Sequence, residues 1–355
     1  MGKIDIVRQR LRNQRLASSE FRRPADVVAW LGAMQAQDFA GAKWGVGLRT
    51  RGVTDVVVDD AFDSGLILRT HVLRPTWHFV APADIRWILA LTSPRVHARN
   101  APYYRKFGLD SRLLARGRRV IERALEGGRQ LTRTELAAAL ARAGIAADAM
   151  RLVFLVMHAE LEAAICSGAR RGRQFTYALV AERAPTARLL DRDEALAELT
   201  RRYFTSHGPA TLRDYSWWSG LTMREARIGV EMSKNALVEE VGDGLTYWHV
   251  PSSGAGTRRV PKAYLLPNYD EYLIAHKDRG CVLDARPMAA RGAMEFPHHL
   301  IVDGKVRGSW KRTFGNKTAG VEVRPFRALD KAEASAVAKQ ADRYSRFLGM
   351  PVQLR

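Results

Sequence analysis

Apolar residues at Ile4, Val7 and Leu11, with arginines between them, recur on one helical face and predict a helix from Ile4 to Leu16. Pro24 opens a second helix through Trp30 and Leu31, since its missing N–H is tolerated in a first turn. The apolar run from Val27 to Met34 then meets Met34-Gln35-Ala36-Gln37-Asp38, and a glycine-rich segment follows from Gly41 to Gly47. Val53 to Phe62 reads as a third helix that starts near Thr54 or Asp55. Leu66 to His71 and Thr76 to Val80 read as two strands around a turn at Arg74-Pro75. Helices followed by a two-stranded ribbon is the order of a winged helix.

The same order returns twice. Ser111 to Leu125, Leu136 to Ala143 behind a capping signal at Thr132 and Glu135, and Ala149 to Ala163 precede a ribbon of Ala164 to Gly168 and Phe175 to Leu179. Asp193 to Ser206, Leu212 to Gly220 and Met223 to Asn235 precede Ala236 to Val241 and Leu245 to His249, joined by an Asp-Gly turn at Asp243-Gly244. The units are too long and too dissimilar for a solenoid. The reading is α+β: three tandem winged-helix units at 1–81, 82–184 and 185–251, then a C-terminal α+β segment at 252–355. That segment opens with a flexible loop at Ser252 to Thr257 and a strand at Ala263 to Pro267. It continues with a hairpin on Asp303-Gly304, a strand at Gly320 to Pro325 and a last helix from Lys331 to Phe347.

Two glutamines one residue apart lie about 200° apart on a helix but on one side of an extended segment. Gln35 and Gln37 can share a ligand only if the helix ends near Met34 and the chain then straightens. Otherwise they are two polar residues closing a helix.

Charge narrows the partners. Lys and Arg number 57 against 37 Asp and Glu, a net charge of +20, which favours polyanions and above all nucleic acid. Arg171 and Arg173 fall on an expected wing tip, Arg69 and Arg74 flank the first ribbon beside Trp77, and Arg258-Arg259 follow the third unit. Singly, each arginine is also what a solvated surface carries. Cys166 and Cys281 are too few for a disulfide framework. His71, His78, His298 and His299 lack metal-ligand spacing, and Gly41-Ala42-Lys43-Trp44-Gly45 is no phosphate loop, so neither metal nor cofactor is expected. Without a signal-peptide core or an apolar run of about 20 residues, a cytoplasmic, nucleoid-associated protein with no membrane partner is expected.

Gln35-Ala36-Gln37 resembles the Gln-Φ-Gln signature of winged-helix DNA glycosylases of the AlkZ type. Arg69 to Val80 around Thr76-Trp77-His78, Leu265 to Tyr272, Lys277-Asp278-Arg279 and Val302 to Trp310 look like that family too, in the expected order. The related YcaQ branch has Asp at the second glutamine, so Gln37 points to the AlkZ side; Ala36 is smaller than the usual aliphatic at Φ. The resemblance implies a concave basic channel for double-stranded DNA and monofunctional excision of alkylated purines, including N7-alkylguanine and some interstrand crosslinks. It implies that Gln35 and Gln37 are catalytic. Asp38, Lys43, Arg69, Arg74, His78, Arg171, Arg173, Lys277, Arg279 and Arg312 are the expected DNA-binding or supporting side chains, with His78 turned toward the channel and Asp38 a helper or a cap. A monomer is expected.

Glutamines fit this chemistry. Glycoside hydrolysis ordinarily uses paired carboxylates, but an N7-alkylpurine carries its own positive charge and leaves without protonation. What remains is to hold a water at C1′ and stabilise an oxocarbenium-like sugar, which an amide carbonyl does through its dipole. The competing readings are a DNA-binding regulator that uses the winged units alone, or a small-ligand sensor centred on Asp270-Glu271-Tyr272.

Overall fold

The computed structural model describes residues 5–251 apart from Asp243, 260–283 and 297–355. The start of the first helix at Ile4, the turn residue Asp243, the loop at Ser252 to Thr257 and the Arg258-Arg259 pair lie outside the described residues. The chain begins with helices α1 (Ile6–Asn13) and α2 (Pro24–Leu31), the latter stopped at Gly32 with φ +78°. Strand β1 (Met34–Gln35) follows, then α3 (Phe39–Gly47), α4 (Asp55–Asp63), β2 (Leu68–His71) and β3 (Trp77–Val80). These three strands form one sheet in the order β1-β3-β2.

The glycine-rich segment is helix α3 and not a loop. Asp38 caps it by accepting from the Gly41 N–H at 3.0 Å. Its glycines serve close packing: a Cβ on Gly47 would lie 2.6 Å from the Phe347 ring, and one on Gly41 would lie 3.1 Å from Pro267. Glycine costs about 1 kcal/mol in a helix interior, so here backbone approach outweighs propensity.

The second stretch opens with α5 (Ile85–Lys106), a 22-residue helix that the apolar pattern did not predict because Pro94 and Pro102 interrupt it. Then come α6 (Ser111–Leu125), β4 (Leu131–Thr132), α7 (Arg133–Arg142), α8 (Ala149–Leu161), β5 (Ile165–Ser167), β6 (Thr176–Leu179) and the single turn α9 (Val180–Arg183). The Thr132 and Glu135 capping box forms as predicted, and the sheet order is β4-β6-β5. In the third stretch α10 (Arg192–Ser206), α11 (Leu212–Ser219) and α12 (Met223–Ser233) each begin with a capping box, and β7 (Val238–Gly242) pairs with β8 (Leu245–His249).

Beyond it lie β9 (Ala263–Leu266), the short α13 (Glu271–Ile274), β10 (His298–Val302), β11 (Lys305–Phe314), β12 (Ala319–Pro325), α14 (Lys331–Leu348) and β13 (Val352–Leu354). Their five-stranded sheet runs β13-β12-β11-β10-β9. This segment shares its core with the start of the chain: Val27, Met34, Ala36, Trp44 and Phe79 pack in one cluster with Tyr264, Leu266, Leu300, Trp310 and Phe347. Trp44 Nε1 donates to Leu265 O at 2.7 Å and Trp310 Nε1 to Leu266 O at 2.9 Å, so both buried indoles are satisfied across that seam. The seam brings Pro267–Glu271 against the glutamine pair.

Candidate active site

Helix α2 stops at Gly32, and the chain straightens into β1, where Met34 pairs with Phe79 and Gln35 with His78. The Ala36 N–H continues the ladder to Trp77 O at 2.7 Å. Extended backbone alternates its side chains, and burial follows. Ala36 is fully buried in the core, Gln35 is half-buried and Gln37 is exposed. The small Φ residue is thus an inward anchor between two glutamines on the opposite face, Gln37 exposed and Gln35 half-buried with its amide oxygen covered.

Neither amide is strongly committed to the protein. Gln35 Nε2 lies 3.5 Å from Thr76 Oγ1, its Oε1 is buried without a hydrogen-bond partner among the described residues, and Gln37 Oε1 accepts from the Trp77 N–H at 3.5 Å. By contrast the Gln35 backbone is held hard: its N–H donates to Glu271 Oε1 at 2.8 Å. Glu271 is buried, and its other oxygen accepts from Trp218 Nε1 at 3.0 Å with His207 Nε2 3.5 Å away. Burial pulls this carboxyl upward, but His207 and the Gln35 N–H outweigh it and hold the group below the ordinary glutamate value. A buried anion therefore sits directly behind the glutamine strand. The sequence placed Glu271 in a segment of interest without giving it this role, because its partners lie on β1, α10 and α11.

His78 does not face a channel: its ring has no exposed surface. Its strand partner Gln35 and the Thr76 carbonyl cover it, and Nδ1 lies 2.8 Å from Thr76 O. A carbonyl only accepts, so Nδ1 carries the proton and Nε2 is a bare acceptor, buried and without a partner among the described residues. Burial, helped by Arg74, pushes the imidazole down to about 3. Between that value and the ordinary 6.5 the unfolded chain binds the proton and the folded chain does not, so His78 destabilises the fold as pH falls through 6.5. We expect thermal midpoints to drop between pH 6.5 and 4, and His78→Gln to flatten that drop. An equal slope in both proteins would contradict the buried neutral assignment.

The basic residues divide. Arg69 is buried, which excludes it as a direct phosphate contact in this conformation. Its guanidinium lies 4.3 Å from the Trp77 ring and 4.6 Å from the Phe175 ring, with Nε donating to Ala36 O at 3.1 Å. Burial lowers it to about 10, still protonated, so it clamps the motif. Lys43 is also buried, between Asp55 at 2.7 Å and Asp59 at 2.8 Å. Arg312 grips both oxygens of Asp38 at 3.0 and 2.8 Å and thereby fixes the cap of α3. Arg74 is largely covered beside Trp217, with Nε and Nη2 buried and unpartnered among the described residues, and burial lowers its pKa. Arg279 is half-buried, its Nε donating to Leu273 O and His276 O. Exposed cations remain at Arg171, which pairs with Glu135 at 2.8 Å, at Arg173 and at Lys277. Tertiary pairing with carboxylates, carbonyls and rings took up the others, which spacing alone does not reveal.

Comparison with known proteins identifies the family. The profile of the family described as DNA glycosylase AlkZ-like matches residues 28–347. An interstrand DNA cross-link repair glycosylase of Streptomyces sahachiroi is 24% identical over 365 residues, covering 93% of each chain. The solved structure of Streptomyces sahachiroi DNA glycosylase AlkZ superposes with a TM-score of 0.79 at 21% identity, covering 98% of both chains.

Proposed function

The chain belongs to the AlkZ-like DNA glycosylase family, and from that premise we propose that it is a monofunctional DNA N-glycosylase for cationic N7-alkylpurine lesions in duplex DNA. The observation that carries this reading is the alternation at 35–37. A buried Ala36 puts the two flanking glutamines together on the opposite face, Gln37 exposed and Gln35 half-buried, over a backbone held by Glu271 and Arg69. Gln37, the more exposed, positions the attacking water, and Gln35 holds that water or the sugar. The buried Glu271 carboxylate adds negative potential behind the site, which favours the oxocarbenium-like sugar over the neutral ground state. A neutral amide does not protonate a leaving group, so unmodified guanine stays in place. The relative's name as a cross-link repair glycosylase makes cross-linked duplexes a second substrate to test.

In this reading the three helix-then-ribbon units act as tandem winged helices along a basic trough, and 252–355 buttresses the first of them. The chain acts as a monomer without a cofactor. Duplex DNA carrying N7-methylguanine, incubated with the protein and then treated with alkali, should break at the lesion. Sequence-selective binding without breaks would instead favour a regulator. Phosphate contacts through residues such as Arg171, Arg173 and Lys277 release counterions, so log affinity should fall linearly with log salt. Removing Arg173 should lower that slope by about 1, read by fluorescence anisotropy; an unchanged slope would take Arg173 off the DNA.

A further inference from the structure

We infer that His97, His158 and Glu162 form a binding site for one zinc-type divalent transition-metal ion that ties α5 to α8. His97 lies on α5, His158 in the last turn of α8, and Glu162 is the residue that closes α8. One ligand atom from each lies within 4.8 Å of the other two. His158 and Glu162 are four residues apart, so both project from the same face of α8 toward α5. Two imidazoles and one carboxylate make a three-ligand set that suits zinc and leaves a fourth position for water. Calcium or magnesium would need more oxygen ligands than the cluster offers.

The side chains are aimed for the task. His97 Nδ1 lies 2.9 Å from the Tyr104 hydroxyl. In the tautomer that donates Nδ1–H to that oxygen, Nε2 is left as the ligating atom, beside Glu162 Oε1 at 3.1 Å. A second group on the far ring nitrogen is how metal-ligating histidines are commonly held. His158 Nδ1 is buried without a hydrogen-bond partner among the described residues, and the two rings lie 5.2 Å apart. Entry is open, since the Glu162 side chain is 41% exposed.

The site also has a mechanical purpose. Pro94 and Pro102 each remove one i→i−4 hydrogen bond from α5, and His97 sits between them. A metal there would clamp this weakened stretch to α8. None of the three ligands belongs to the glutamine site, so the inference stands independently of the proposed reaction.

The test is titration of the full, tag-free, chelator-stripped chain with Co2+, a zinc substitute that absorbs visibly in low-coordinate sites. One equivalent should give visible bands that Zn2+ displaces, and Zn2+ should raise the thermal midpoint. His97→Gln and Glu162→Gln should each weaken Co2+ binding by about tenfold or more. Glu162 is exposed enough for the amide to leave the fold intact, which circular dichroism checks. No cobalt bands in the native chain, or bands of undiminished affinity in Glu162→Gln, overturn the site.

Discussion

Asp270→Ala should be the most destabilising single substitution in the site region, lowering unfolding free energy by about 3–5 kcal/mol, the usual cost of orphaning one partner of a buried ion pair. Both side chains of the Arg49–Asp270 pair are fully buried. Arg49 meets Asp270 through two bonds of 2.8 Å, and its remaining N–H groups donate to Gln14 O, Gln14 Oε1 and Gly45 O. Asp270 in turn accepts from the Tyr272 N–H at 2.9 Å. Alanine would strand a guanidinium among α3, Gln14 and the Pro267–Glu271 turn without its carboxylate partner. The double variant Arg49→Met with Asp270→Leu should recover much of the loss, since apolar replacement of both partners is often neutral. Urea unfolding reads both numbers. A loss below about 1 kcal/mol for Asp270→Ala, the ordinary range for an exposed pair, would mean that the pair is not sealed as the structure shows.

Gln35→Ala and Gln37→Ala should each cut the excision rate on N7-methylguanine by on the order of 10²-fold, the usual effect of deleting one preorganised polar group at a charged transition state. Gln37 is exposed and Gln35 makes only one long side-chain contact, so neither change should cost much stability. Lesion binding should stay within a few-fold, because phosphate contacts elsewhere carry affinity. The double variant should be little worse than either single one if the two amides serve one water, since groups that act as a unit are not additive. Single-turnover rates on a lesion-bearing duplex decide it. Native rates in both single variants would remove the glutamines from the chemistry and leave the protein as a lesion binder.

Local patterns were legible and long-range pairings were not. The run from Ser111 to Leu125, the Thr132–Glu135 capping box and the hairpin on Asp303-Gly304 all stand where periodicity, caps and turn residues put them. Helix α5 was hidden because two prolines mask its period, and α3 because glycines that look like loop formers serve close packing.

At the site the division is the same. From the chain alone, the spacing of Gln35, Ala36 and Gln37 required extended backbone for two glutamines on one face, and β1 supplies it. The sequence could not say that Arg69 clamps Ala36, that Lys43 is locked between two aspartates, that His78 is buried, or that Glu271 lies behind the motif. Nor could it bring His97 beside His158 and Glu162. Caps, periods and turns are set by neighbours within a few residues, so the chain carries them openly. Which buried charge meets which partner depends on residues from 12 to 236 positions apart closing on one another in the packed molecule, and only that packing decides whether a basic residue faces solvent or becomes scaffold.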